Sequence, residues 1–274
     1  MGSSSLGFRD GVGGVRGANG DAGTDSGSGL SGDEQSTYDG GSPGVNAVVA
    51  LAAAADAMFQ FDPTIDPSQS DTQNANLVLA HVLSELGATG DAGTKCGSVT
   101  LNGTTVTASF GPAPGCTLPN GTKISGTIAV GITKAGSTIT IAMTMTSAIV
   151  NGVALGGTVQ LATTSGSSFT LSGNFTSGTT TYSSTGLTLS GTTGVISVDG
   201  AFTVATDTTT TYTFSALTWK LGDCYPDGGS LAIKSGLVTM TITFDASTPT
   251  SGNVTVTVGK KSVTEKLPTY GICT

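Results

Sequence analysis

In the stretch Ser137 to Thr146, STITIAMTMT, the apolar residues Ile139, Ile141, Met143 and Met145 fall on every second position. Thr138, Thr140, Ala142, Thr144 and Thr146 stand between them, so an extended chain carries apolar groups on one face and mostly hydroxyls on the other. This is the pattern of a half-buried β-strand. From about residue 96 onward it recurs, broken each time by Gly, Asn-Gly or Ser-Gly. The alternation predicts strands at about 97–102, 104–110, 123–134, 137–150, 153–164, 167–177, 179–191, 194–206, 209–221, 229–235, 237–245, 252–259 and 261–267. Connectors such as Asn102-Gly103 and Asn151-Gly152 are suited to tight antiparallel hairpins, so sequential strands should pair. The expected fold is mainly β: a long antiparallel meander that closes into a barrel or folds into two packed sheets, preceded by two short α-helices. Glycines interrupt the apolar series at Gly126, Gly173, Gly191 and Gly200, which predicts strong coiling of the sheet.

A sheet this large needs a solvated outer face, and only 10% of the 274 residues are charged. Hydroxyls must take that part. The formal net charge of −8 is divided unevenly. Residues 1–91 hold twelve acids and two arginines, whereas the remainder holds six acids and eight lysines. Between Lys134 and Asp199 there is no charged residue. Neither part has the basic stripe that neutralises phosphates, so nucleic acid is not an expected partner.

Three segments follow from these patterns. Residues 1–44, rich in Gly, Ser and Asp, read as a disordered acidic tether, and no DxDxDG spacing marks a calcium loop there. Residues 45–91 form a helical segment. Within it Asn46 to Phe61 is Ala-rich, with Val48, Leu51, Ala55, Met58 and Phe59 on a helical period, and its apolar run, ended by Asp56, is that of a buried helix. A second helix is capped by Ser70 with Gln73, ends at Gly87, and buries Val78, Leu79, Val82 and Leu86. His81, the one histidine, is expected on its polar, solvent-facing side. Residues 92–274 form the antiparallel β domain.

The four cysteines, Cys96, Cys116, Cys224 and Cys273, contain no CxxC pair, so a disulfide framework in an oxidising compartment is expected rather than a metal or redox site. Of the three pairings, Cys96 with Cys116 and Cys224 with Cys273 each close a loop around neighbouring strands. No export signal heads the chain, since Met1 is followed by GSSSLG without a basic region or an apolar run, and the expectation is that the native leader is not included here.

Catalytic signatures are sparse. GxSxG, Ser-Lys and Cys-His arrangements are absent. Asp199, Asp207, Asp223, Asp227, Asp245 and Glu265 could supply a carboxylate pair of the kind used in glycoside hydrolysis, with Asp223 and Asp227 in GDCYPDGG the closest in sequence. Turns need such residues for backbone reasons alone, so no catalytic role, cofactor or metal is assigned. TxT runs resemble those of Thr-array ice-binding proteins, but strands of unequal length do not build a flat array. An outer-membrane barrel would have aromatic girdles, which are lacking, and LPTYG at 267–271 departs from the sortase signal at Tyr270.

The helical preface, the GCTLPNG and GDCYPDGG turns and the terminal LPTYGIC resemble Thr/Gly-rich lipoproteins of unknown function from Gram-negative bacteria, notably myxobacteria. The resemblance covers residues 46–273 and implies an envelope location, with membrane contact through a lost lipid anchor. It transfers no activity. The expected function is that of a non-enzymatic envelope or secreted protein with a structural or adhesive role, self-assembling or meeting a cell-surface partner. The alternative is a carrier that holds a lipid or other apolar ligand inside a β-barrel.

Overall fold

The computed structural model describes residues 29–61, 64–87, 96–192, 194–205, 209–220 and 222–267. Two helices come first, α1 (Gly32–Phe59) and α2 (Asp71–Gly87). The strands that follow are β1 (Ser98–Asn102), β2 (Thr105–Ser109), β3 (Cys116–Thr117), β4 (Lys123–Ala135), β5 (Thr138–Val150), β6 (Val153–Thr163) and β7 (Ser168–Ser177). After them run β8 (Thr180–Thr192), β9 (Val195–Val204), β10 (Thr210–Lys220), β11 (Gly228–Ser235) and β12 (Val238–Phe244). A four-residue helix, α3 (Thr248–Ser251), precedes β13 (Asn253–Val258) and β14 (Lys261–Lys266).

All fourteen strands form one antiparallel sheet in sequence order, with the short β3 attached beside β2 on β4. The alternation in the sequence is the reason. Ile139, Ile141, Met143 and Met145 of β5 are buried, whereas the intervening Thr138, Thr140, Ala142 and Thr144 are only half-buried. The expected meander is therefore observed. Closure of a barrel through β1 and β14 is not, since β1 pairs only with β2 and β14 only with β13 among the described residues.

Helix α1 fills the apolar side of this sheet. It packs against β4, β5 and β6 and also against β10, β11 and β12, so strands far apart in the sheet converge on it. From Ala47 to Phe59 every residue is buried, which makes this half of α1 apolar on all sides rather than along the single stripe expected. Alanine suits that position because it brings the helix backbone close to the strands without side-chain entropy loss. By length and composition α1 could cross a membrane, but its apolar stretch is mostly buried within the protein. Helix α2 packs against α1, β1, β2 and β4, with Val78, Val82 and Leu86 buried and Leu79 partly so. Its capping box is formed as expected, Gln73 N–H donating to Ser70 Oγ (3.2 Å) and Ser70 N–H to Gln73 Oε1 (2.9 Å).

One boundary requires correction. The tether expected over residues 1–44 overlaps α1, which starts at Gly32 and passes through the sequence Gly40-Gly41-Ser42-Pro43-Gly44 without ending. Glycine and proline disfavour helix locally, yet a Cβ at Gly41 would collide with Ile233 and one at Gly44 would lie 2.9 Å from Tyr212. Close approach to the sheet outweighs local propensity. Residues 1–28 lie outside the described part.

The sheet bends along a line of irregularities that crosses β4 to β11. Register shifts occur between Ser125 and Thr127, between Met145 and Ala148, between Leu171 and Gly173, between Ser184 and Thr188, and between Phe214 and Leu217. Gly126, Ser147, Gly157, Gly173, Gly200, Ala216 and Gly229 on this line all have positive φ. A side chain at Gly126 would overlap the Ser147 carbonyl, and one at Gly229 would overlap that of Ala216. Bulges stacked strand after strand coil the sheet toward α1. Gly191 has a different reason, because a Cβ there would meet Val195 O and lie 3.3 Å from Phe61.

Candidate functional site

The outer face of the sheet is a ladder of hydroxyls. Cross-strand partners include Thr127 with Thr146, Thr133 with Thr140, Thr144 with Thr158, Thr170 with Thr188, Ser190 with Ser197, Thr203 with Thr211 and Thr255 with Thr264. Thr144 and Thr158 are hydrogen-bonded through their hydroxyls at 3.0 Å. Ala129, Gly131, Ala142 and Ala162 lie among them and keep the surface low. From β5 to β8 such a face can exchange hydrogen bonds with neutral polar partners and offers no charge for steering, whereas Asp199 stands opposite Thr188 and Lys234 opposite Thr211. At one end of the sheet Ser167, Ser168, Ser190, Thr192 and Ser197 line a shallow depression of about 450 Å³.

The carboxylates do not gather into a pair that acts on a substrate. Asp199 accepts the Ala216 N–H (2.9 Å) at the bulge of β10, and so holds the bend of the sheet. Thr218 Oγ1 donates to Asp227 Oδ1, while the Asp223 carbonyl accepts the Trp219 indole N–H (2.9 Å). Asp245 accepts from Ser247 N–H and Oγ, which holds its carboxyl below the usual range. Each of these groups shapes a turn or a bulge. Glu265 points inward from β14 and raises the Tyr38 hydroxyl pKa, an effect second to that of burial. Asp207 lies outside the described residues.

The first disulfide forms as expected between Cys96 and Cys116, whose Cα atoms are 5.4 Å apart. Cys224 is also disulfide-bonded. Cys273, its expected partner, lies outside the described residues.

A polar cluster escaped sequence reasoning. Asp56, in the alanine run of α1, is only 6% exposed. Its Oδ1 accepts the Phe61 N–H and its Oδ2 the Asn120 amide, both at a long 3.4 Å. Burial pushes its carboxyl pKa up, and these contacts only partly offset that. His81 is not the surface residue expected: its Nε2 lies 3.3 Å from the Asp56 carbonyl, and burial lowers its pKa. One turn farther along α2, burial raises the Glu85 pKa. The only advance signal was an acid inside an apolar helix. Among the described residues no group of three His, Cys, Asp or Glu could hold a metal.

Comparison with known protein families, with curated proteins and with solved structures found no match.

Proposed function

We propose that this is a non-enzymatic protein of the cell envelope or the secreted fraction, whose hydroxyl-lined outer face is its working surface in a structural or adhesive role. The observation that carries this reading is the set of Thr and Ser pairs between β5 and β6, β7 and β8, and β8 and β9, in a segment without any charge from 135 to 198. These strands are interior to the sheet, so their edges are satisfied and only their faces are available. Joining of subunits at a strand edge in this segment, one form of the expected self-assembly, is therefore not retained. The disulfide supports an oxidising compartment, and the lipoprotein resemblance supports an envelope location. A neutral polysaccharide of the envelope is a chemically suitable partner for such a face.

The test uses Thr144→Lys with Thr188→Lys, which places charge on the outer face. Both variants should keep the melting temperature within a few degrees and lose adsorption to isolated envelope material. Adsorption equal to that of the wild type, or none by the wild type, would overturn the reading. A carrier of an apolar ligand is the second reading, and the observation that favours it is the group of buried oxygens of Gln35, Tyr38 and Glu265 without a hydrogen-bond partner among the described residues.

A further inference from the structure

Four observations converge on residues Gly32 to Asp39 of α1. First, the segment is polar, DEQSTYD after Gly32, yet Tyr212 and Ile233 line the space beside Ser36 and Thr37, and Ile242 the space beside Tyr38. Second, three buried side-chain oxygens lack a hydrogen-bond partner among the described residues, and all belong here: Gln35 Oε1, Tyr38 Oη and Glu265 Oε1. Unsatisfied buried oxygens weaken the docking of whatever carries them. Third, the half-helix leaves space on two sides, a cavity of about 150 Å³ beside Ser36 and Thr37 and one of about 20 Å³ beside Tyr38 and Trp219. Fourth, it joins the fully buried half through Gly40-Gly41-Ser42-Pro43-Gly44, where each Gly costs about 1 kcal/mol and Pro about 3 kcal/mol relative to Ala in a helix interior.

We propose that Gly32 to Asp39 is a displaceable plug, hinged at residues 40–44, and that the groove it occupies binds a single-chain lipid with an anionic head group. Eight helical residues, at about 1.5 Å rise and about 10 Å diameter, fill roughly 900 Å³. Gly32, Asp33, Ser36 and Asp39 are exposed, so only about half of that volume lies below the surface, at the lower end of the roughly 300–1,000 Å³ that ligand pockets span. Its walls combine Tyr212, Ile233 and Ile242 with the polar groups of Thr210, Ser235 and Glu265. Its mouth carries Lys261, whose Nζ now lies 3.7 Å from Glu34 Oε2 and is half exposed. When the plug leaves, Glu34 leaves with it, and the ammonium is released to pair with a carboxylate or phosphate head group. The remainder of α1, from Ala47 to Phe59, stays packed and keeps the sheet coiled.

This site deepens the carrier reading, on which it rests, and is independent of the outer-face reading. The experiment combines a fluorescent polyene fatty acid, titrated into the full chain, with hydrogen exchange followed by mass spectrometry. The expected result is saturable binding, faster exchange at residues 33–39 on adding the fatty acid, and unchanged protection at 47–58. Lys261→Ala should weaken displacement of the probe by dodecanoate about threefold and leave dodecanol unaffected, in keeping with the size of an exposed ion pair. Binding without a change in exchange at 33–39 would overturn this site while the carrier reading stands. No binding at all would overturn both, and an equal effect of Lys261→Ala on acid and alcohol would overturn the head-group assignment.

Discussion

Asp56 is the residue at which local chemistry and fold conflict. A carboxyl buried between α1, α2 and the Asn120 loop has a folded-state pKa raised by desolvation, so the folded protein binds its proton more tightly than the unfolded chain. Its contribution to stability is complete below the unfolded-state pKa and is lost as pH rises through the raised folded value. His81 has the opposite sense: its folded pKa is lowered, so stability falls as pH drops from the unfolded imidazole value toward the folded one. Asp56→Asn should remove the loss on the alkaline side, and His81→Gln should flatten the acid side, both measured as melting temperature against pH. Asp56→Ala is different, because it leaves the Phe61 N–H and the Asn120 amide without their acceptor. It should cost about 1–3 kcal/mol in chemical denaturation at neutral pH. A melting profile for Asp56→Asn that parallels the wild type would contradict the assignment of the carboxyl as a buried, proton-favouring group.

Among elements, the line of bulges across β4 to β11 makes the sharpest demand on residue type. Gly126→Ala places a Cβ against the Ser147 carbonyl in a backbone with φ of 86°, and should destabilise the protein by about 2–4 kcal/mol. Gly136→Ala is the matched control: it also has positive φ, 62°, but nothing lies within 4 Å of the added carbon. It should cost about 1 kcal/mol. Equal losses for the two variants in urea unfolding would mean that the bulges impose only their dihedral preference and no close approach. The edges of the sheet are protected by different means. Strand β14 carries Lys261, Glu265 and Lys266 in six residues, and β1 is five residues long with α2 packed against it. Aromatic rings bridge four successive strands, Phe175 to Tyr182 (5.1 Å), Tyr182 to Phe202 (5.2 Å) and Phe202 to Tyr212 (4.6 Å). Burial pushes the Tyr182 hydroxyl pKa up to about 12, so this ladder is neutral in ordinary conditions.

For the whole molecule, the Cys96–Cys116 disulfide and helix α1 each tie separate parts together. Cys96 and Cys116 are 20 residues apart, and on the chain-entropy model their bond contributes about 3 kcal/mol. Cys96→Ser with Cys116→Ser should lower the urea midpoint accordingly and raise the slope slightly, since the unfolded chain without the cross-link exposes more surface. A lowered slope would indicate that β1 and β2 detach as a unit.

The strands were legible in the sequence because their information is local: alternation and turn residues define β4 to β14 within a residue or two, and the outer hydroxyl face follows from the same period. The cap of α2 was legible for the same reason. Residues 32–44 were not, because glycine and proline count against helix until the strands that need their small size are in place. Nor was the Asp56 cluster, since its neighbours His81 and Asn120 are separated by 25 and 64 residues and meet only through packing. Sequence by itself determined the order, length and two-faced character of the strands. Only the tertiary structure decided what fills the apolar side of the sheet, because a helix that is buried all round has no periodic stripe to announce its partner, and its position depends on strands that fold back to meet it.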